Sequence, residues 1–425
     1  MRVMPRQRFV ALAVVVLSSI GLGFIALPYL RGLSFLVRAV DTQGTIRTLA
    51  DLGARRVTER EIEFDVPPNA RAGRPGKMTG HLYLPDGTPR RAVLLVPEPH
   101  PAGISEPRLV RLAHELAASG LAVVTPDIQQ LSRLDMSAAV TDEIDAAALW
   151  LSTRSDIVTA SGKDTRVGLI GLGFSGGFSL VAAGRLSLAD RVAYVAALGA
   201  DDDLPRVLRY FCTGIKSAPE RELQIRRDAA VDDRDVADTD QDTGKPDQSR
   251  VVSPQMKGLT VMLMGLADRQ VPRPQVDRLR GALRRFLAAS SIERADQPQA
   301  DGEFASLKVA AKGLPEPSAT LLRYVNNRDV VHLGARLLPS INLYGGAPSL
   351  SLSKSAKPAA PVFLLQGTAD LVPVVESEYL VNDLRGHAPV RLLSSDFLSR
   401  IKTGETMPIG ETLNLASFWG DLVSR

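Results

Sequence analysis

From residue 80 onward the chain alternates two kinds of apolar pattern. Short runs over 80–84, 92–96, 121–125 and 166–171 are apolar at most positions and read as strands, buried on both faces where the run is unbroken. Between them, 108–118 and 141–151 carry apolar residues at three- and four-residue spacing, which predicts helices; in the second, Ile144, Ala147, Ala148 and Leu151 share one face. Gly120, Pro126 and Gly162 punctuate the series, and the apolar run 192–198 extends it. Alternation of this kind predicts a mostly parallel sheet with helices on both sides.

After residue 200 the pattern breaks. Residues 201–255 are rich in aspartate and read as a solvated excursion; 259–264 looks strand-like, 276–288 helical, 290–318 polar and 344–361 loop-rich. Order resumes with a strand over 361–366, a helix over 376–384, a strand over 390–393 and a closing helix over 411–422. The expected organisation is an N-terminal anchor in 1–40, a first part of the core in 41–200, an inserted cap in 201–360 and a second part of the core in 361–425.

The N-terminal run Phe9 to Leu30 holds 22 residues without a charged side chain, long enough to cross a bilayer. Arg2, Arg6 and Arg8 precede it, which favours a cytoplasmic N-terminus with the bulk of the chain outside the cytoplasm, periplasmic in a bacterium. A cleaved signal peptide is the alternative. A lipid bilayer is therefore an expected partner through residues 9–30.

The run 166–171 leads into Gly173-Phe174-Ser175-Gly176-Gly177 and then a second apolar stretch. Strand, G-x-S-x-G, helix is the pattern of a nucleophile elbow, where a sharp turn lifts a serine hydroxyl into a cleft near a helix N-terminus. The five residues alone are a weak signal; their context strengthens it. The same stretch satisfies G-x-G-x-x-G through Gly171, Gly173 and Gly176, with Asp201 placed to hold a ribose, so a dinucleotide site is a rival reading.

Composition narrows the chemistry. With 51 basic and 47 acidic residues the formal net charge is +4 and no basic block stands out, which disfavours nucleic acid as a partner. Cys212 is the only cysteine, excluding an intrachain disulfide, and the five histidines lack metal-ligand spacing.

A serine nucleophile needs a base, and the base an orienting acid, in the chain order serine, acid, histidine. The apolar run Val362 to Leu365 followed by Gln366-Gly367-Thr368-Ala369-Asp370 offers Asp370 as that acid; Asp268, in the similar stretch Gly265-Leu266-Ala267-Asp268, competes for the role. Through the Ser175 elbow, the Thr125-Pro126-Asp127 strand end and the Asp370 turn, residues 80–200 and 360–425 resemble the α/β-hydrolase superfamily, in particular membrane-anchored bacterial dienelactone-hydrolase-like and esterase-like members. The resemblance implies an α/β-hydrolase fold and hydrolysis of an ester, lactone or similar acyl bond through an acyl-enzyme on Ser175, with a small-molecule acyl substrate and no cofactor.

The sequence departs from that family at the base. The window where the family's histidine would follow the last strand reads Ser394-Ser395-Asp396-Phe397-Leu398-Ser399-Arg400-Ile401, with Arg400 in the histidine's place, and a guanidinium cannot accept a proton near neutrality. His387 and His332 are the other candidates. Oxyanion donors are expected from the Gly176 N–H and from Glu98 or His100 in the turn Pro97-Glu98-Pro99-His100-Pro101, which resembles a His-Pro-His-Pro turn of some relatives. Two readings follow: a serine hydrolase, or a catalytically impaired pseudo-hydrolase that binds a ligand or protein at the membrane.

Overall fold

The computed structural model describes residues 27–39, 45–66, 76–158, 165–215, 251–293, 296–367, 371–395 and 409–425. Eight strands form one sheet in the order β1-β2-β4-β3-β5-β6-β7-β8. They are β1 Val57–Val66, β2 Gly76–Pro85, β3 Ala92–Val96, β4 Ala122–Pro126, β5 Val167–Leu172, β6 Val192–Leu198, β7 Val362–Gln366 and β8 Val390–Ser394. β2 runs antiparallel to both neighbours, and the other pairings are parallel. Of the six parallel strands, β3, β4, β6 and β7 are buried at every position and β5 at all but its last, because helices cover both faces, and apart from Thr125 and Gln366 these positions are apolar or aromatic. Alternate residues serve opposite cores: Leu94, Val96 and Leu169 pack on one side, Val93, Leu95 and Ile170 on the other. This is the α/β-hydrolase arrangement, with a mostly parallel sheet between two helical layers.

Between β6 and β7 the described residues form helices and no strand. The strand expected over 259–264 is instead part of helix Pro254–Gly265. Ser253 caps it, accepting from the Met256 N–H at 3.2 Å, and Pro254 supplies a prefixed first-turn φ. Met256, Leu259, Met262 and Leu263 are all buried. A short helix buried on several sides gives no periodicity that separates it from a strand. The excursion expected from 201 likewise begins with an amphipathic helix, Leu204–Thr213, capped by Asp203, which accepts from the Arg206 N–H at 3.1 Å. Asp203 thus caps a helix rather than marking a solvated stretch. The polar segment 290–318 contains helix Gln297–Lys312, capped by Asp296.

Most of the apolar run 9–30 lies outside the described residues; its last four begin a helix over 27–39. Among the described residues no helix is long and apolar enough to cross a membrane. Helix 27–39 packs against the C-terminal helix Ile409–Ser424, with the Phe35 and Trp419 rings 4.5 Å apart. Gly32 lies against the backbone of Ala416 and Gly420, and Gly420 against the Pro28 carbonyl, so a Cβ on either glycine would overlap backbone atoms. Arg38, near the end of helix 27–39, is buried, bonded to Glu115 at 2.7 Å and donating to the Ala50 carbonyl at 3.1 Å and the Ser119 hydroxyl at 2.8 Å.

Candidate functional site

β5 runs to Leu172 and the next helix begins at Phe174, so one residue carries the whole reversal. That residue is Gly173, at φ 56° and ψ −133°, a conformation that costs glycine little and other residues a good deal. Its N–H donates to the Leu198 carbonyl at 2.8 Å, tying the bend to β6. The strained bend of a nucleophile elbow is therefore present, and the residue on it has no side chain.

Ser175 lies two residues further on, inside the first turn of helix Phe174–Ala183. It is fully buried, and its hydroxyl donates to the Pro97 carbonyl at 2.7 Å. The expected projection of this hydroxyl into the cleft is thus corrected by the register: the strand ends at Leu172 and the helix already begins at Phe174, so the bend falls on Gly173, two residues before Ser175. The Gly176 N–H, expected as an oxyanion donor, donates to the Gly173 carbonyl at 2.9 Å as part of the helix start.

A cavity of about 330 Å³ opens at this end of the sheet. Gly173 and Phe174 from the bend, Glu98 and His100 from the turn after β3, and Lys257 and Leu287 from helices between β6 and β7 all contribute to its wall. The Glu98 side chain leans over the bend: a Cβ placed on Gly173 would lie 3.1 Å from Glu98 Cγ and 3.2 Å from its Oε1. Arg108 Nη2 stands 3.9 Å from Glu98 Oε2. Arg108 Nε bonds Glu106, whose other oxygen accepts from the Leu109 N–H at 2.8 Å and so caps helix Pro107–Ala118. His100 accepts from the Ala102 N–H through Nδ1 at 3.2 Å, which places the proton of a neutral ring on Nε2.

Asp370 and Arg400 lie outside the described residues. Next to Asp370, Leu371 lines the cavity. Gln366, which ends β7, donates to the Val372 carbonyl at 3.0 Å and accepts from the Ser377 hydroxyl at 3.1 Å, bracing this strand end against helix Val375–Leu384. His387 is exposed just before β8, at the sheet end opposite the bend, with Nδ1 3.3 Å from the Arg385 carbonyl. His332 is exposed on helix Val330–Leu337, paired with Asp329 at 2.7 Å and stacked on Tyr324. Neither histidine reaches the cavity wall. Asp268 is exposed beside Arg280, 3.7 Å away.

The ribose role of Asp201 meets a packing obstacle. Asp201 is buried behind the helix that starts at the bend, its backbone carbonyl against Gly177, and neither carboxyl oxygen has a hydrogen-bond partner. Burial, followed by the nearby Glu376 charge, holds its carboxyl well above the usual carboxylate range. Among the described residues no group of three or more His, Cys, Asp or Glu side chains is placed to hold a metal ion.

The sequence reading missed the roles of two residues at the bend. The Pro97 carbonyl, which binds the Ser175 hydroxyl, left no signal. Gly173 did leave one, because an apolar run extended by one residue puts it at the turn.

No family model matches this chain, and no curated protein does. Several solved structures are similar to it at low identity. A protein of Legionella pneumophila assigned as a hydrolase has a TM-score of 0.47 at 12% identity, over 92% of this chain and 94% of that one. An esterase of Pyrococcus furiosus gives 0.40 at 12%, over 84% and 91%. A dienelactone hydrolase of Anabaena variabilis gives 0.35 at 13%, over 81% and 94%. The strand order and the one-residue bend define the class: an α/β-hydrolase fold with a helical insertion and a glycine at the elbow.

Proposed function

We propose that this chain is a membrane-tethered ligand-binding protein built on the α/β-hydrolase fold, whose cleft holds a small, largely apolar molecule without forming an acyl-enzyme on Ser175. One observation carries the reading: the elbow's strained position belongs to Gly173, while the Ser175 hydroxyl is buried and committed to the Pro97 carbonyl. A nucleophile must come within about 3–3.5 Å of the acyl carbon, and a hydroxyl sealed beneath a loop carbonyl has no such approach. The cavity beside the bend supplies the space a ligand needs. The run Phe9 to Leu30 supplies the tether.

Labelling of the full-length chain with a fluorophosphonate tests this. No covalent adduct on folded protein is the expected result; an adduct on Ser175, lost in Ser175→Ala, overturns it. A second reading, ester hydrolysis by water, is favoured by the presence of a carboxylate, Glu98, and an imidazole, His100, on the cavity wall. It requires turnover that survives Ser175→Ala and falls on substitution of Glu98 or His100.

A further inference from the structure

We propose that the Glu98 carboxylate is the group that recognises the ligand, and that the ligand is an apolar molecule with a hydrogen-bond-donating head, an alcohol or an amine. This rests on the reading that the cleft binds rather than acylates. Glu98 stands where the side chain of an elbow residue would begin, with its Cγ and Oε1 3.1 and 3.2 Å from the place of a Cβ on Gly173. The two positions are linked sterically. With glycine at 173 the carboxylate lies unhindered on the cleft wall, and a side chain there would press on it and push it aside by a few tenths of an ångström.

The chemistry of the head follows from the carboxylate. An ionised carboxylate only accepts hydrogen bonds, at about four lone-pair sites. Its cation, Arg108, is 3.9 Å away, and the Glu98 side chain is 39% exposed and lines the cavity. Acceptor capacity therefore faces the cavity, and a donor head satisfies it. A carboxylate head beside Glu98 would instead meet a like charge; Arg108, Arg111 and Lys257 also line the cavity, so hexanoate is the control that decides whether Glu98 or these cations set the preference. Leu109, Leu112, Leu172, Phe174, Leu198 and Leu371 supply the wall for the tail. Burial of a short hydrocarbon there strengthens binding with each methylene removed from water.

The full-length chain in lipid nanodiscs, with empty nanodiscs as blank, is titrated calorimetrically at pH 7.5 with hexylamine, 1-hexanol and hexanoate. Hexylamine is expected to bind at least about tenfold more tightly than hexanoate. Glu98→Gln, which keeps an acceptor but removes the charge, is expected to weaken hexylamine about tenfold and leave hexanol within about threefold. Glu98→Leu is expected to weaken both. A preference for hexanoate that disappears in Arg108→Gln overturns the proposal, as does failure of all three to bind or indifference of hexylamine to Glu98→Gln. Fluorophosphonate labelling of the same sample separates the two levels: labelled Ser175 defeats the parent reading, whereas unlabelled protein that prefers hexanoate defeats only this one.

Discussion

Ser175→Ala separates a structural hydroxyl from a catalytic one. The side chain is fully buried and donates one hydrogen bond of 2.7 Å to the Pro97 carbonyl. A bond of this kind is worth about 0.5–1.5 kcal/mol net, and its loss also strands a buried carbonyl, so the variant should lose roughly 1–2 kcal/mol of stability. The void is one oxygen wide and adds little. Chemical denaturation of the full-length chain in urea, followed by tryptophan fluorescence, reads the difference as a lower midpoint with unchanged slope. Hydrolysis of p-nitrophenyl butyrate is measured in parallel. Loss of a true serine nucleophile costs on the order of 10⁶ in kcat in a serine protease, whereas here any turnover present in the parent should remain within about threefold. Unchanged stability with turnover reduced by about 10³ or more would refute the placement of this hydroxyl beneath Pro97, because such a result requires a serine facing substrate.

Two other substitutions probe the frame around the site. Asp201→Asn removes a buried carboxyl whose folded pKa is raised, so the parent's contribution is fully present below the unfolded value of about 3.9 and is lost as pH rises toward the folded value. The variant should match the parent near pH 4 and gain on it by up to about 1.4 kcal/mol per pH unit above that; an advantage that does not change with pH in thermal melts would rule this out. Gly32→Val forces side-chain atoms into the Ala416 backbone, and overpacking of this sort costs about 1–3 kcal/mol. It should separate Phe35 from Trp419 and shift tryptophan emission to the red; unchanged emission and stability would show that helix 27–39 is not docked there.

The parts of this molecule that could be read from the chain are those in which one physical demand acts alone. A strand covered on both faces is apolar along its buried length, so 92–96 and 362–365 announce themselves. The helical insertion was obscured where two demands overlapped. Met256 to Met264 is apolar because it is buried, which hides the helical period, and Asp203 and Asp296 are polar because they cap helices, which mimics a solvated stretch.

The elbow was legible as a place and ambiguous as a register. Gly171, Gly173, Gly176 and Gly177 give several ways to set a bend, and each assigns the strained position to a different residue. What decides among them is the last residue of β5, whose ladder partner Leu198 lies on a strand some twenty-five residues away. Local pattern cannot supply that pairing. A shift of two residues leaves the fold unaltered and changes the chemistry completely, because the bend then carries a glycine with the Glu98 side chain beside it instead of a serine hydroxyl. The identity of the residue at the single positive-φ position between β5 and its helix therefore carries more functional information than the G-x-S-x-G pattern around it.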